Sequence, residues 1–454
     1  MARSVDVQPS VNARQRRRFA QSALAPALLV QLFLASSAVS TFGQTSDSLR
    51  LEQVTREVIE HNDRIASARY MEEASREKAG SAGAWQDPML MVGVANLPTS
   101  FDFKEDPMTM TMVGLSQTIP YAGQKGLEAQ AAKADADAAT YDRYATEVDL
   151  AKAARYAFSD LYYRRRTLAD LNSQLDLLET ITAAAMARLS TNQAGQADVL
   201  AAQAEEWRLQ ARVLEAEHMV EEARYDLNIL RGLDVDAAVP PLAAPPSVDL
   251  PATPEPWLAA ARQYYPPLAK LSLQSEAYGF SSQAAQRMSW PMLQLSASYA
   301  FRFDAPNEPR DNMVNFQAAF TLPFLEGGRQ KDMARAMDAM RQGVDAEAAQ
   351  RSREIEARLR VLHMTAAHLV TTESLYRDRI LPAALSAFQS ALAGYASNQV
   401  PYSNLLLLAT DVYRDRMALN DAGNQLSRTL AEAESFTRDP KSLAPEPVPA
   451  PQAP

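Results

Sequence analysis

Met89 and Met91, then Met108, Met110 and Met112, sit at every second position of two short runs. Thioether sulfur is a soft donor that suits Cu(I) or Ag(I), so stripes of this kind could give weak contacts to a soft metal ion if they lined one surface. They could equally be plain apolar contacts. Other chemistry is poorly supplied. The chain has no cysteine, which removes disulfides, thiolate metal sites, a cysteine nucleophile and a lipidated N-terminal cysteine. Of the four histidines, His61, His218, His363 and His368, the last two lie five apart, about 140° around a helix, and make no zinc pair. No HExxH, GxSxG or repeated carboxylate pattern occurs, and GGRQK at 327–331 lacks the GK[ST] ending of a phosphate-binding loop. No cofactor and no enzymatic activity are expected.

The methionine runs belong to strand-like segments at 89–97 and 108–119, matched later by 292–303 and 313–322. In the third, Leu293, Leu295, Ala297, Tyr299, Phe301 and Phe303 share one face, against Gln294, Ser296, Ser298 and Arg302 on the other. In the fourth, Val314, Phe316, Ala318, Phe320 and Leu322 oppose Asn315, Gln317 and Thr321. Strands of this length with one apolar and one polar face suit an outer-membrane barrel, and a half-buried hairpin of a soluble protein would alternate in the same way. Four strands cannot close a barrel around anything. If they face lipid, several chains must each lend four.

Each strand pair runs into a long Ala-rich helix through a similar junction, SQTIPYAGQKG at 116–126 and TLPFLEGGRQKD at 321–332. Pro120 and Pro323 end a strand by removing a ladder donor, and Gly123, Gly327 and Gly328 tolerate the angles needed before a helix starts. Ile119-Pro120-Tyr121 aligns with Leu322-Pro323-Phe324 at an offset of 203, and STNQAGQADVL (190–200) aligns with ASNQVPYSNLL (396–406) at 206. Colinear matches of this kind make tandem duplication the organising fact. The first repeat spans 45–233, with helices at 49–84, 124–189 and 198–230. A Pro-rich, extended linker covers 234–256. The second repeat spans 257–438, with helices at 257–288, 329–393 and 404–436, and a Pro-rich tail at 439–454 is expected to be disordered. Leu168, Leu171, Leu175, Leu178, Thr182, Ala185 and Leu189 keep coiled-coil spacing, as do Leu405, Leu408 and Val412.

Arg14, Arg16, Arg17 and Arg18, an apolar stretch at 23–35 and small residues to Gly43 form a secretory signal at 1–44, with cleavage between about Ser40 and Gln44. Removing it takes away five Arg and one Asp and moves the net charge from −10 to −14. An acidic exported chain argues against nucleic acid. No later run of eighteen apolar residues offers a transmembrane helix.

Together these features resemble the TolC-like outer-membrane efflux proteins over about 49–438, most specifically in PYAGQK, PFLEGGRQK and the two NQ turns. The form SQTIPYAGQKG looks closest to the heavy-metal branch, related to exporters of copper, silver, cobalt or zinc. The resemblance implies a mainly α homotrimer in the outer membrane. Four strands per chain would share a twelve-stranded barrel above a periplasmic α-helical coiled-coil tunnel. It implies a passive exit duct that meets a periplasmic adaptor (membrane-fusion) protein and an inner-membrane pump of RND or ABC type. Multidrug efflux and type I secretion are alternative duties of such a duct, and a soluble periplasmic coiled-coil scaffold is the rival of another class.

The resemblance places adaptor docking at Asn192, Gln193, Asn398 and Gln399, whose bland role is to shape a turn. Asp198 and Asn404 are expected to cap the helices that follow. It also places a gate at Asp198, Asn404 and Asp411. Members often carry a ring of aspartates and an arginine in the turn; here Asn404 and Val400 stand at those positions, which makes the gate less acidic. Duplication gives the methionines a direction: Met89 and Met91 align with Met292 and Gln294, and Met112 with Asn315, on the polar side that would face the lumen. The alternative is a greasy lining, or a bulge that returns Met110 and its neighbours to lipid.

Overall fold

The computed structural model describes residues 48–120, 122–191, 195–246, 249–304, 308–322 and 328–443. The expected signal segment, Asn192, Gln193, Pro323, Gly327 and residues 444–454 of the tail lie outside the described residues.

Helices α1 (Leu51–His61) and α2 (Asp63–Ala82) lead to strands β1 (Met89–Ala95) and β2 (Met110–Ile119), followed by α3 (Gln124–Ser190) and α4 (Gln196–Leu230). The second half repeats the order with α5 (Glu255–Tyr264), α6 (Pro266–Arg287), β3 (Leu293–Arg302), β4 (Met313–Phe320) and α7 (Arg329–Leu375). A π-helical turn at Tyr376–Ile380 comes next, then α8 (Leu381–Ala396), α9 (Tyr402–Thr437) and a 3-10 turn at Pro440–Leu443.

Three expected helices are interrupted, each for a local reason. The helix expected over 49–84 breaks at Asn62, which is extended (φ −79°, ψ 125°). Its side chain accepts a bond from the Arg64 amide and donates one to the Leu230 carbonyl, both at 3.0 Å. The helix expected over 257–288 breaks at Tyr265, because Pro266 and Pro267 push the residue before them out of the helical region and restart a helix at its first turn. The helix expected over 329–393 is broken by the π turn, which ends two residues before Pro382.

The four strands form one antiparallel sheet in the order β1-β2-β3-β4, so β1 and β4 are open edges. Register sorts the residues by face. Met91 lies opposite Gly114, Gly114 opposite Ser298 and Ser298 opposite Asn315, which makes one face polar. The other presents Leu90, Val92, Leu115, Tyr299, Phe316 and Phe320, all exposed, with Phe316 at 82%. Helices follow the strand order: α2 packs on α3, α3 on α6 and α6 on α7. Farther from the sheet, α4 packs on α3, α3 on α9, and α9 on α7 and α8.

Two of the four apolar clusters among the described residues tie the rods of the first repeat to their neighbours. One gathers Val54, Val58, Ile65, Leu150, Phe158 and Leu227 where α1, the start of α2, α3 and α4 meet. The segment after α4 is tied there by a bridge between Leu49 and Leu242 and by Arg165 bonds to the Val239 and Pro240 carbonyls. The other joins α3, α4, α8 and α9 near the helix turns, through Ile181, Val199, Phe388 and Leu405. Between them α3 and α9 approach so closely that a Cβ on Gly423 would meet the Tyr163 hydroxyl at 2.5 Å. Midway along α2, its Glu72 forms a chain of ion pairs with Arg143 and Glu147 of α3 at 2.5 and 2.6 Å.

Candidate functional site

At the sheet, alternation and register bring the methionines together. Met89 and Met91 on β1, Met110 and Met112 on β2 and Met313 on β4 all lie on the face that carries Ser296, Ser298, Asn315 and Gln317. Each is opposed by small or polar residues: Gly93 and Ala300 flank Met112, Gly114 faces Met91, and Ala95 faces Met110. Ala300, between Met112 and Met313 in the same cross-strand row, is fully covered. The Asn315 amide reaches the Met112 sulfur at 3.9 Å. No bulge interrupts β2 between Met110 and Ile119. Met108 precedes the strand and is exposed.

The junctions show why the sequence repeats itself. Gly123 and Gly328 are the N-caps of α3 and α7, and both are left-handed (φ 80° and 105°). A side chain there would be strained at both places. Pro120 ends β2 just outside its last residue. Trp85 and Trp290, exposed ahead of β1 and β3, mark the same rim of the sheet.

At the other end of the rods, Asn398 and Tyr395 meet an arginine that the sequence reading passed over. Arg188, near the end of α3, donates to the Tyr395 carbonyl and to the Asn398 side-chain oxygen in the turn between α8 and α9. Its guanidinium also lies 4.4 Å over the Tyr395 ring. Asn398 is left-handed (φ 64°), and the Gln399 amide closes the turn on the Gly394 carbonyl at 2.8 Å. The first repeat thus contributes an arginine to the turn of the second. One signal could have found it: at the offset of 206, Arg188 falls on Gly394, where any Cβ would meet Val400 at 2.5 Å. A long guanidinium side chain in one half matches a glycine in the other.

Asp198 and Asn404 do not cap their helices. The caps are Gly195 and Pro401, and both residues stand at the third helical position, which Asp198 uses to bond back to the Gly195 amide. The helices start earlier because Gly195 and Pro401 already end the turns. The two positions are thus equivalent across the repeats. Asp411 lies two turns along α9 from Asn404 and pairs with Arg414 at 2.5 Å. Beside them Tyr395 and Tyr402 pack edge to face, centroids 6.0 Å apart, with both hydroxyls buried and unpartnered. Burial, helped by Tyr395, Glu205 and Asp198, pushes the Tyr402 hydroxyl up to about 12. It stays neutral, and so does Tyr395, whose burial outweighs the charge of Arg188. Among the described residues no group of three or more His, Cys, Asp or Glu side chains could hold a metal ion. The same residues contain no helix long and apolar enough to cross a membrane.

No family model matches the chain, and no curated protein matches it. Solved structures do. The chain is similar to CusC, whose structures concern conformational changes accompanying folding and transmembrane channel formation, at 16% identity over 85% of this chain and 91% of that one, TM-score 0.73. It is similar to the outer-membrane channel OprN at 16% identity over 86% and 90%, TM-score 0.72. It is also similar to the Campylobacter jejuni CmeC outer membrane channel at 13% identity over 85% of each chain, TM-score 0.71. The fold is therefore TolC-like: a four-stranded antiparallel sheet set on long paired helices, in a duplicated chain.

Proposed function

We propose that this chain, with its TolC-like fold, is the passive outer-membrane exit duct of a tripartite efflux system. One observation carries the reading: sheet and helical layers end in the same two open edges. On one side stand β1, α2 and α4, and on the other β4, α7 and α8. Leu200, Trp207 and Leu214, exposed at seven-residue steps on α4, form a seam that no described residue covers, as do Val361 and Met364 on α7. An open sheet edge is not tolerated in lipid, and a heterologous contact that closes makes a ring. Three copies would supply twelve strands, with the apolar face on lipid and the polar face on a water-filled lumen.

In this reading the protein hydrolyses nothing. An inner-membrane pump of RND or ABC type supplies energy, and an adaptor docks on the turns at Asn192, Gln193, Asn398 and Gln399. Asp198, Asn404 and Asp411 line the constriction, and the Arg188 clasp sets its resting width. The chain would be exported, cleaved and inserted in the outer membrane. Fractionation tests this: the protein should enter the outer membrane as a heat-modifiable trimer. Recovery as a soluble periplasmic species would leave the coiled-coil scaffold instead.

The shared face of Met89, Met91, Met110 and Met112 favours soft metal ions as cargo over drugs or secreted proteins, because thioether sulfur is a soft donor and Met89 and Met91 are exposed beside the buried Met110. A deletion strain should be hypersensitive to copper and silver salts. Sensitivity to lipophilic drugs alone would keep the duct and discard the thioether role.

A further inference from the structure

The two rods begin and end at equivalent points but differ in length by one residue. α3 runs 67 residues from left-handed Gly123 to the turn after Ser190. The matching rod runs from left-handed Gly328 through Arg329 to Ala396, one residue more. The offset between repeats therefore grows from 203 at the prolines to 205 at the N-cap glycines and 206 at the tip turns. The last step falls within the rod, where the π turn holds it. The Leu381 amide bonds to the Tyr376 carbonyl, five residues back, so one extra residue is taken up without turning the helix beyond it. Left α-helical, the extra residue would rotate α8 by about 100° and advance it about 1.5 Å. That would carry Tyr395 and Asn398 off Arg188. Pro382 fixes the place, since it has no N–H to return to the Asp378 carbonyl.

We propose that this π turn is the hinge about which the tip of the second repeat moves when the duct opens. The role in opening rests on the duct reading above. Three features support it. No residue of the turn is buried. It falls between two separate apolar clusters, one ending on α7 at Leu362 and one that α8 joins through Leu385, Phe388 and Ala391. α3 is unbroken alongside, so bending is confined to one rod of the pair. Sharp helix bends arise at such turns and at proline. Among the described residues, the hydrogen bonds that tie α8 and the turn after it to α3 are those of the Arg188 clasp, so the hinge and the clasp form a joint and its latch.

The test removes the extra residue. Deleting Arg379, exposed in the π turn, should give a continuous α-helix of matched length. The full-length variant should enter the outer membrane as a trimer like the natural protein, yet lose about tenfold in efflux-dependent resistance, because the tip can no longer swing. Pro382→Ala keeps the residue count and should lose less. The absence of cysteines allows paired spin labels at Asp176→Cys and Ser386→Cys on the natural sequence and on the deletion. A broad or two-peaked distance distribution that narrows on deletion is expected. Undiminished efflux in an assembled deletion variant would overturn the hinge. So would one narrow distribution shared by both proteins, even if the deletion impairs assembly. Failure of the natural protein itself to reach the outer membrane would instead sink the duct reading, and the label distances would still judge the hinge.

Discussion

The two repeats agree at the sheet end and disagree at the tip. Both strand pairs deliver a left-handed glycine to the cap of a long helix, Gly123 and Gly328, and both stripe their strands by face. At the tip the first half offers a long guanidinium and the second a glycine, a left-handed Asn and a buried tyrosine pair. The sheet end answers to surroundings that treat the halves alike. At the tip the two halves are complementary parts of one contact, so each carries what the other lacks.

The largest effect should come from breaking the two-faced sheet. Phe316→Arg places a charge on the apolar face and should cost about 2–4 kcal/mol if that face meets lipid, whereas Gln317→Arg next to it should cost less than about 1 kcal/mol. Heat-modifiability of the proposed trimer reads both, and equal costs would remove the proposed lipid-facing role of that face. Arg188→Ala should loosen the tip by about 2 kcal/mol, since it strips a charged donor from two acceptors. Hydrogen exchange should quicken at the end of α8 and the start of α9 and stay unchanged in the sheet; uniform quickening would mean Arg188 supports the whole fold. Gly123→Ala and Gly328→Ala should each cost about 1–2 kcal/mol from the left-handed backbone, in nearly equal measure. Denaturation midpoints that differ widely between them would show that the sheet ends have diverged too.

The smallest effect concerns pH. Burial tends to raise the Glu72 carboxyl, but hydrogen bonds from Arg143 and Thr140 and the charges of Arg143 and Arg76 outweigh it and hold it below its ordinary 4.5. A depressed acid contributes stability that is complete above its unfolded value and lost as pH falls through its folded one. Acid unfolding of the α2–α3 contact should therefore begin below pH 4.5, and Glu72→Gln should flatten that slope.

Much of the sheet was legible because period-two alternation is a local signal and the duplication supplied a second reading of each strand. Gly123 and Gly328 were legible because turn chemistry leaves few choices of residue. The clasp was not, since Arg188 sits in AMARLS, an ordinary helical surface, and its partners lie more than two hundred residues away. Tyr265-Pro266-Pro267 announced a helix break that composition alone had smoothed over. The π turn was countable from the spacing of glycines and turns, but a count shows only that a residue is surplus, whereas Pro382 and the Leu381 bond show where it goes.

The open edges of β1 and β4 also bear on genetics. A protein whose strands are complete only in company has no partly working unit. If three copies close one ring, a cell making natural and tip-damaged subunits in equal amounts would hold roughly one in eight rings free of damaged copies. Alleles that spoil the tip but spare the edges should therefore behave as dominant, and alleles that spoil the edges as recessive.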